Sequence, residues 1–248
     1  MSTVTFFVIN HCEHAAHKEN CKFCTLDWTY KNVKNVKLKK SETEIAEVIA
    51  CTQDDYLHHN FIGGSLYNTD KEVMRYIEII NFARQQLSFD RLNGYVISMP
   101  PKDESILSLL YNSGISGVKF NLEVSSPDLF SKLCPAKSRF GYELIEERLT
   151  QAAKIFGINH VYTNLIIGLE PIKNVVEKAK ILSEFGVGLH PQICHSGFNN
   201  NVPTVTMDVN EIFEASCAID EINKKCGLKP WLDKGSSRGC ILWELYLH

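Results

Sequence analysis

No uninterrupted apolar run among the 248 residues approaches the roughly 20 residues of a membrane-spanning helix. The N-terminus has no basic start followed by a long apolar stretch, so a secretory signal is not expected and a cytoplasmic location is. An excess of positive charge is missing too: 26 Lys and Arg against 29 Asp and Glu leave a net charge of -3. Proteins whose main task is gripping nucleic acid are usually strongly basic, so a small-molecule substrate is the expected partner, with neither a membrane nor nucleic acid. No glycine-rich dinucleotide fingerprint follows the first apolar run, which disfavours a flat dinucleotide-binding sheet. Linkers, repeats and low-complexity stretches are also lacking, and a single domain over 1–248 is expected, with 228–248 as a C-terminal cap or extra strand. Cysteine, by contrast, is plentiful. Nine, an odd number, without a signal segment favour reduced thiols or metal ligands over a disulfide framework.

The apolar pattern alternates between two periods. TVTFFVIN, YLHHNFIGG, LNGYVISMP, GVKFNLEVS, HVYTNLIIGLE and VGLHPQICHSG read as strands. Helical periods separate them, the first opened by a capping box at Ser41 and Glu44 and another stopped by Gly114. Strands returned by helices of ten or more residues must run parallel, so the expected fold is α/β: a partial (βα)6 parallel barrel of the TIM-like type. The Lys-rich stretch YKNVKNVKLKK reads most simply as a solvated loop.

In such folds the site lies where strands hand over to helices. The unusual clusters all fall there. HCEHAAHKENCKFC, at 11–24, follows the first strand and holds three cysteines and three histidines. Double glycine Gly63-Gly64 follows the second, NLEVSSPDLF the fourth, NLIIGLEP the fifth and CHSG the sixth. A structural zinc knuckle explains the first cluster and none of the others; a cofactor held across the barrel mouth explains all of them.

In their order along the chain, Cys21-Lys22-Phe23-Cys24, the double glycine, NLEVSSPDLF and NLIIGLEP resemble the radical S-adenosylmethionine enzymes, in the branch that includes biotin synthase. The resemblance covers about residues 4 to 200 and implies a biosynthetic enzyme with a [4Fe-4S] cluster and S-adenosyl-L-methionine as cofactors. Three thiolates can hold a four-iron cluster and leave one iron open. In the family that iron binds S-adenosylmethionine, whose cleavage yields a 5'-deoxyadenosyl radical, with a reductase or flavodoxin-like protein as electron donor. The ligands implied are Cys12, Cys21 and Cys24. Eight residues separate the first two where the family usually has three, which leaves His11, His14 or His17 as alternatives to Cys12.

The resemblance further implies that Gly63 and Gly64 let backbone carbonyls approach the methionine amine, with Ser65 where an acidic residue often stands. Glu123 matches the ribose-binding position, with Asn121 on the same strand face. Arg139, rather than Arg148, is expected to meet the methionine carboxylate, and Ile166 and Gly168 to pack the adenine. Cys194 and His195 are candidate catalytic residues on the substrate side, with Gly197 letting the chain turn away. Cys51, Cys217 and Cys226 read as small buried apolar residues, and Cys134 and Cys240 as loop residues that could face the cavity. Two other functions fit parts of the pattern: a zinc-stabilised binding protein, and a radical enzyme that modifies RNA or a peptide through the Lys31 to Lys40 stretch.

Overall fold

The computed structural model describes residues 3–34, 37–56, 58–194, 202, 204 and 208–229. His195, Gly197, Cys240 and nearly all of the expected cap at 228–248 lie outside them. Six parallel strands form one sheet in sequence order: β1 (Thr3–Ile9), β2 (His58–Gly63), β3 (Leu92–Ser98), β4 (Ile115–Phe120), β5 (Val161–Ile167) and β6 (Gly188–Ile193). Each strand pairs only with its chain neighbours, so β1 and β6 are not joined among the described residues. The sheet is an unclosed barrel, as the strand-helix alternation predicts.

Helices α1 (Leu26–Asn32) and α2 (Glu42–Thr52) follow β1, and the capping box is formed: Glu44 N–H donates to Ser41 Oγ while the Glu44 carboxylate accepts from Ser41 N–H. Then come α3 (Thr69–Leu87), α4 (Ser105–Asn112), α5 (Pro127–Leu133), α6 (Pro135–Phe140), α7 (Tyr142–Phe156), α8 (Ile172–Glu184) and α9 (Val209–Lys225). Two short helices, α5 and α6, interrupt the return path after β4. Pro127 and Pro135 open them, because proline fits the first turn and not the interior. Among the described residues no helix is long and apolar enough to cross a membrane.

The two faces of the sheet differ. Outward-facing Phe61, Val96, Val118, Phe120 and Leu165 are buried in the main apolar core under the helices. The inward face is set by alternation and by contacts that skip a strand, which only a concave surface allows. Tyr95 of β3 meets the Tyr162 ring of β5 edge-on at 5.8 Å. A Cβ on Gly117 of the intervening β4 would lie 2.4 Å from Tyr95, so glycine is what lets the rings meet. Higher in the barrel, Lys119 Nζ of β4 lies 2.7 Å from His190 Nδ1 of β6. Above that, Asn164 donates to the Gln192 side-chain carbonyl at 2.8 Å. The interior therefore runs from an aromatic floor to a polar middle layer. Burial holds His190 well below its ordinary value, with the Lys119 charge acting the same way, so the imidazole is neutral at pH 7 and accepts from the lysine.

The cysteines divide differently from expectation. Cys51 is exposed, because α2 buries Ile45, Ala46 and Ile49 and position 51 lies on the opposite face. Cys217 and Cys226 are only half-buried, whereas Cys134, read as a loop residue, is fully buried.

Candidate active site at the barrel rim

The loop after β1 is tied down at both ends. Gly64 N–H donates to Ile9 O at 2.8 Å and Glu13 N–H to Ser65 O at 3.0 Å. A Cβ on Gly64 would lie 1.9 Å from the His11 carbonyl oxygen, so no other residue fits with the loop where it is. Residues Glu13–His17 form a 3-10 turn closed by Lys18 in the left-handed region at φ 58°. Tyr67 N–H donates to the Glu13 carboxylate at 2.7 Å, and the Tyr67 hydroxyl to Glu13 O at 2.9 Å. The far end is clamped to the α5–α6 junction: Lys22 N–H donates to Leu133 O at 2.9 Å and Ala136 N–H to Glu19 O at 3.2 Å.

These ties bring Cys12, Cys21 and Cys24 close enough for each thiol's charge to act on its neighbours. Burial pushes the Cys24 thiol up to about 11 although the residue keeps contact with solvent, and burial raises Cys12 as well. Cys21 moves the other way. Its side-chain hydrogen bond with Cys134, opposed by burial and aided by the Lys137 charge, draws its thiol below the ordinary value. Among the described residues no three His, Cys, Asp or Glu side chains converge closely enough to hold one metal ion. That spacing disfavours a closed zinc site. It suits a four-iron cluster, whose ligand sulfurs sit on different irons and stand farther apart. The thiols fit the cluster, and buried His11 Nδ1 and His14 Nδ1 find no hydrogen-bond partner beside them among the described residues.

Strand β4 ends at Phe120, so Asn121 and Glu123 lie just past it rather than within it. Glu123 is nonetheless fixed: its N–H donates to Asn164 O at 3.0 Å, and its carbonyl accepts from Ile166 N–H at 2.8 Å. Its φ of 74° is left-handed, which costs a residue with a Cβ about 1 to 2 kcal/mol and aims the side chain inward. There its carboxylate is ion-paired with Lys137 of α6, which also reaches Asn121 O at 3.4 Å. Asn121 Oδ1 is buried without a partner.

Arg139 is placed away from this pocket. It is exposed and forks onto the Glu19 carboxylate at 2.8 and 2.5 Å, on the outside of the cysteine loop. Two residues along a helix turn a side chain by about 200°, so Lys137 faces in where Arg139 faces out. Arg148 holds the loop after β3 instead, donating to Pro101 O at 3.2 Å and Lys102 O at 2.5 Å. The cation that the structure sets against Glu123 and the thiols is therefore Lys137, which sequence spacing alone did not single out.

Glu72 was likewise missed. It is 1% exposed, on α3, and accepts from Ser65 Oγ at 2.9 Å, Leu66 N–H at 2.9 Å and Met99 N–H at 3.2 Å. Burial pushes its carboxyl up to about 7 against those donors. It thus braces the Gly63-Gly64-Ser65 turn from behind. A glutamate in the otherwise apolar phase Val73, Tyr76, Ile80 is the only signal the sequence offered. Gly168, at φ 101°, turns the chain after β5, and Ile166 is buried. Beyond it Glu170 accepts from Ser125 N–H at 2.6 Å, joining the rims of β4 and β5. Cys194 is half-buried one residue past β6, its N–H on Ile167 O at 2.8 Å.

Fold and thiol loop together define a class, the radical S-adenosylmethionine enzymes. The structure of the FeFe-hydrogenase maturase HydG from Carboxydothermus hydrogenoformans superposes with a TM-score of 0.66 and 17% identity, over 90% of this chain and 52% of that one. Methylornithine synthase (PylB) does so with a TM-score of 0.63 and 11% identity, over 92% and 70%. In sequence the chain is 32% identical over 115 residues to the bacteriochlorophyllide c C-7(1)-hydroxylase of Chlorobaculum limnaeum; the match takes in 44% of this chain and 28% of that relative's length. No family model matches.

Proposed function

We propose that the protein holds a [4Fe-4S] cluster and S-adenosylmethionine at the barrel rim and uses them on a small metabolite or cofactor precursor. The observation that carries this reading is the convergence of Cys12, Cys21 and Cys24 beside the Gly64 turn and the Lys137–Glu123 pair. Cys12, Cys21 and Cys24 would hold the cluster, and when bound the two cofactors supply a 5'-deoxyadenosyl radical. The protein's own groups do the rest. Gly63 and Gly64 expose backbone to the methionine amine, Glu123 offers a carboxylate to the ribose hydroxyls, and Lys137, released from Glu123, takes the methionine carboxylate in the role first given to Arg139. Ile166 and Gly168 pack the adenine. The polar layer of Lys119, His190, Asn164 and Gln192 lies below, where the substrate enters the barrel. Cys194 and His195 remain substrate-side candidates. A cytoplasmic reductase or flavodoxin-like protein supplies the electron.

Anaerobic reconstitution with iron and sulfide should give a brown protein with one four-iron cluster. Cys21→Ala or Cys24→Ala should abolish it, and Cys12→Ala should as well. A full cluster in Cys12→Ala, with loss in His14→Ala or His17→Ala, would move the first ligand to a histidine. A colourless protein with stoichiometric zinc would sink the whole reading.

A further inference from the structure

Cys134 has no part in the reading above, yet it is one of the best-buried thiols in the molecule, at 0% exposure. Its position is built rather than incidental. It occupies the junction between α5 and α6, each started by a proline, and its N–H closes α5 on Phe130 O at 2.7 Å. The two backbone hydrogen bonds of the clamp, Lys22 N–H to Leu133 O and Ala136 N–H to Glu19 O, bracket it against the cysteine loop. The side chains of Cys134 and Cys21 are hydrogen-bonded as a result. Lys137, one helical turn on, brings its ammonium to the same place with its side chain 16% exposed.

We propose that Cys134 is a positioning residue for the cluster: its S–H donates to the Cys21 sulfur and raises the cluster's reduction potential. The inference rests on the proposed function, since it takes Cys21 as a ligand. A ligating sulfur is a thiolate and cannot donate, so the proton between the two belongs to Cys134. Two adjacent thiolates in a dry site would repel each other, and burial keeps the second one neutral. Reduction adds negative charge that spreads over the cluster sulfurs. A donor on one of them therefore stabilises the reduced form more than the oxidised form, and Lys137 acts in the same sense. Adjacency to Cys21 also argues against Cys134 as a fourth ligand, because ligands on different irons stand farther apart than hydrogen-bonded sulfurs.

The test is a redox titration of the reconstituted protein without S-adenosylmethionine, followed by electron paramagnetic resonance, for wild type, Cys134→Ala and Cys134→Ser. Cys134→Ala should keep its iron and show a more negative midpoint potential, and Cys134→Ser, which retains a donor of similar size, should recover much of the shift. An unmoved potential in Cys134→Ala reduces the residue to packing, and loss of iron from either variant makes it a ligand; both overturn the proposal and leave the proposed function standing. A wild-type protein that takes up no four-iron cluster overturns both.

Discussion

The outer and inner faces of the same six strands follow opposite rules. Outside, Val118 and Phe120 are fully buried against helices, with apolar neighbours on every side. Inside, Lys119, which sits between them in sequence, meets His190 across a strand. One residue step takes the chain from a surface selected for packing to one that keeps charge and amide groups out of water. The apolar face supplies the stability that lets the polar face exist, since burying such groups is costly unless they are paired.

Substitutions can probe that contrast. The largest effect is expected at Phe120, where Phe120→Ala empties a fully buried ring site on the outer face and should cost about 3 to 5 kcal/mol in denaturant unfolding. A loss under about 1 kcal/mol would mean that the outer face is not the main source of stability. Glu72 stands between the two regimes, packed in the helix layer but bonded to the rim. Its carboxyl is raised from an ordinary 4.5 to about 7 in the folded protein. The folded state therefore binds the extra proton, and stability is fully present below pH 4.5 and falls as pH rises through about 7, by roughly 3 kcal/mol at most. Glu72→Gln should flatten that slope while losing about 1 to 3 kcal/mol at low pH, because the amide sets a donor against backbone N–H groups. A slope that survives the substitution would assign the pH dependence elsewhere. The smallest effect is expected inside: Lys119→Met exchanges a buried charge for an apolar side chain of similar length and should shift stability by less than about 1 kcal/mol. A large destabilisation there would erase the contrast between the faces.

The strands were legible because both periods are strong and the helices between them long, and every expected strand is present in order. The rim was legible in part. Gly64 announced itself because a doubled glycine after a strand has few other uses, and its close approach to His11 O supplies the reason. Lys137 did not, because its importance comes from an ion pair across fourteen residues and from the phase of α6, a helix of six residues too short to show a period. The same shortness hid the outward turn of Arg139. Cys134 was misplaced because the prolines that bound α5 and α6 look like loop punctuation when read one residue at a time.

The double tethering of the loop after β1 separates the number of residues between the first two thiols from where those thiols end up. The extra residues coil into the Glu13–His17 turn, which is pinned to Tyr67 and lies between two fixed anchors, Gly64 at one end and the α5–α6 junction at the other. Adding length to a surface loop costs little, because closure entropy grows only as the logarithm of length, about 0.6 kcal/mol per doubling. A wide interval between ligands is then a tolerated insertion in a frame held from outside, and in such a barrel the anchors identify the ligand loop better than its spacing does.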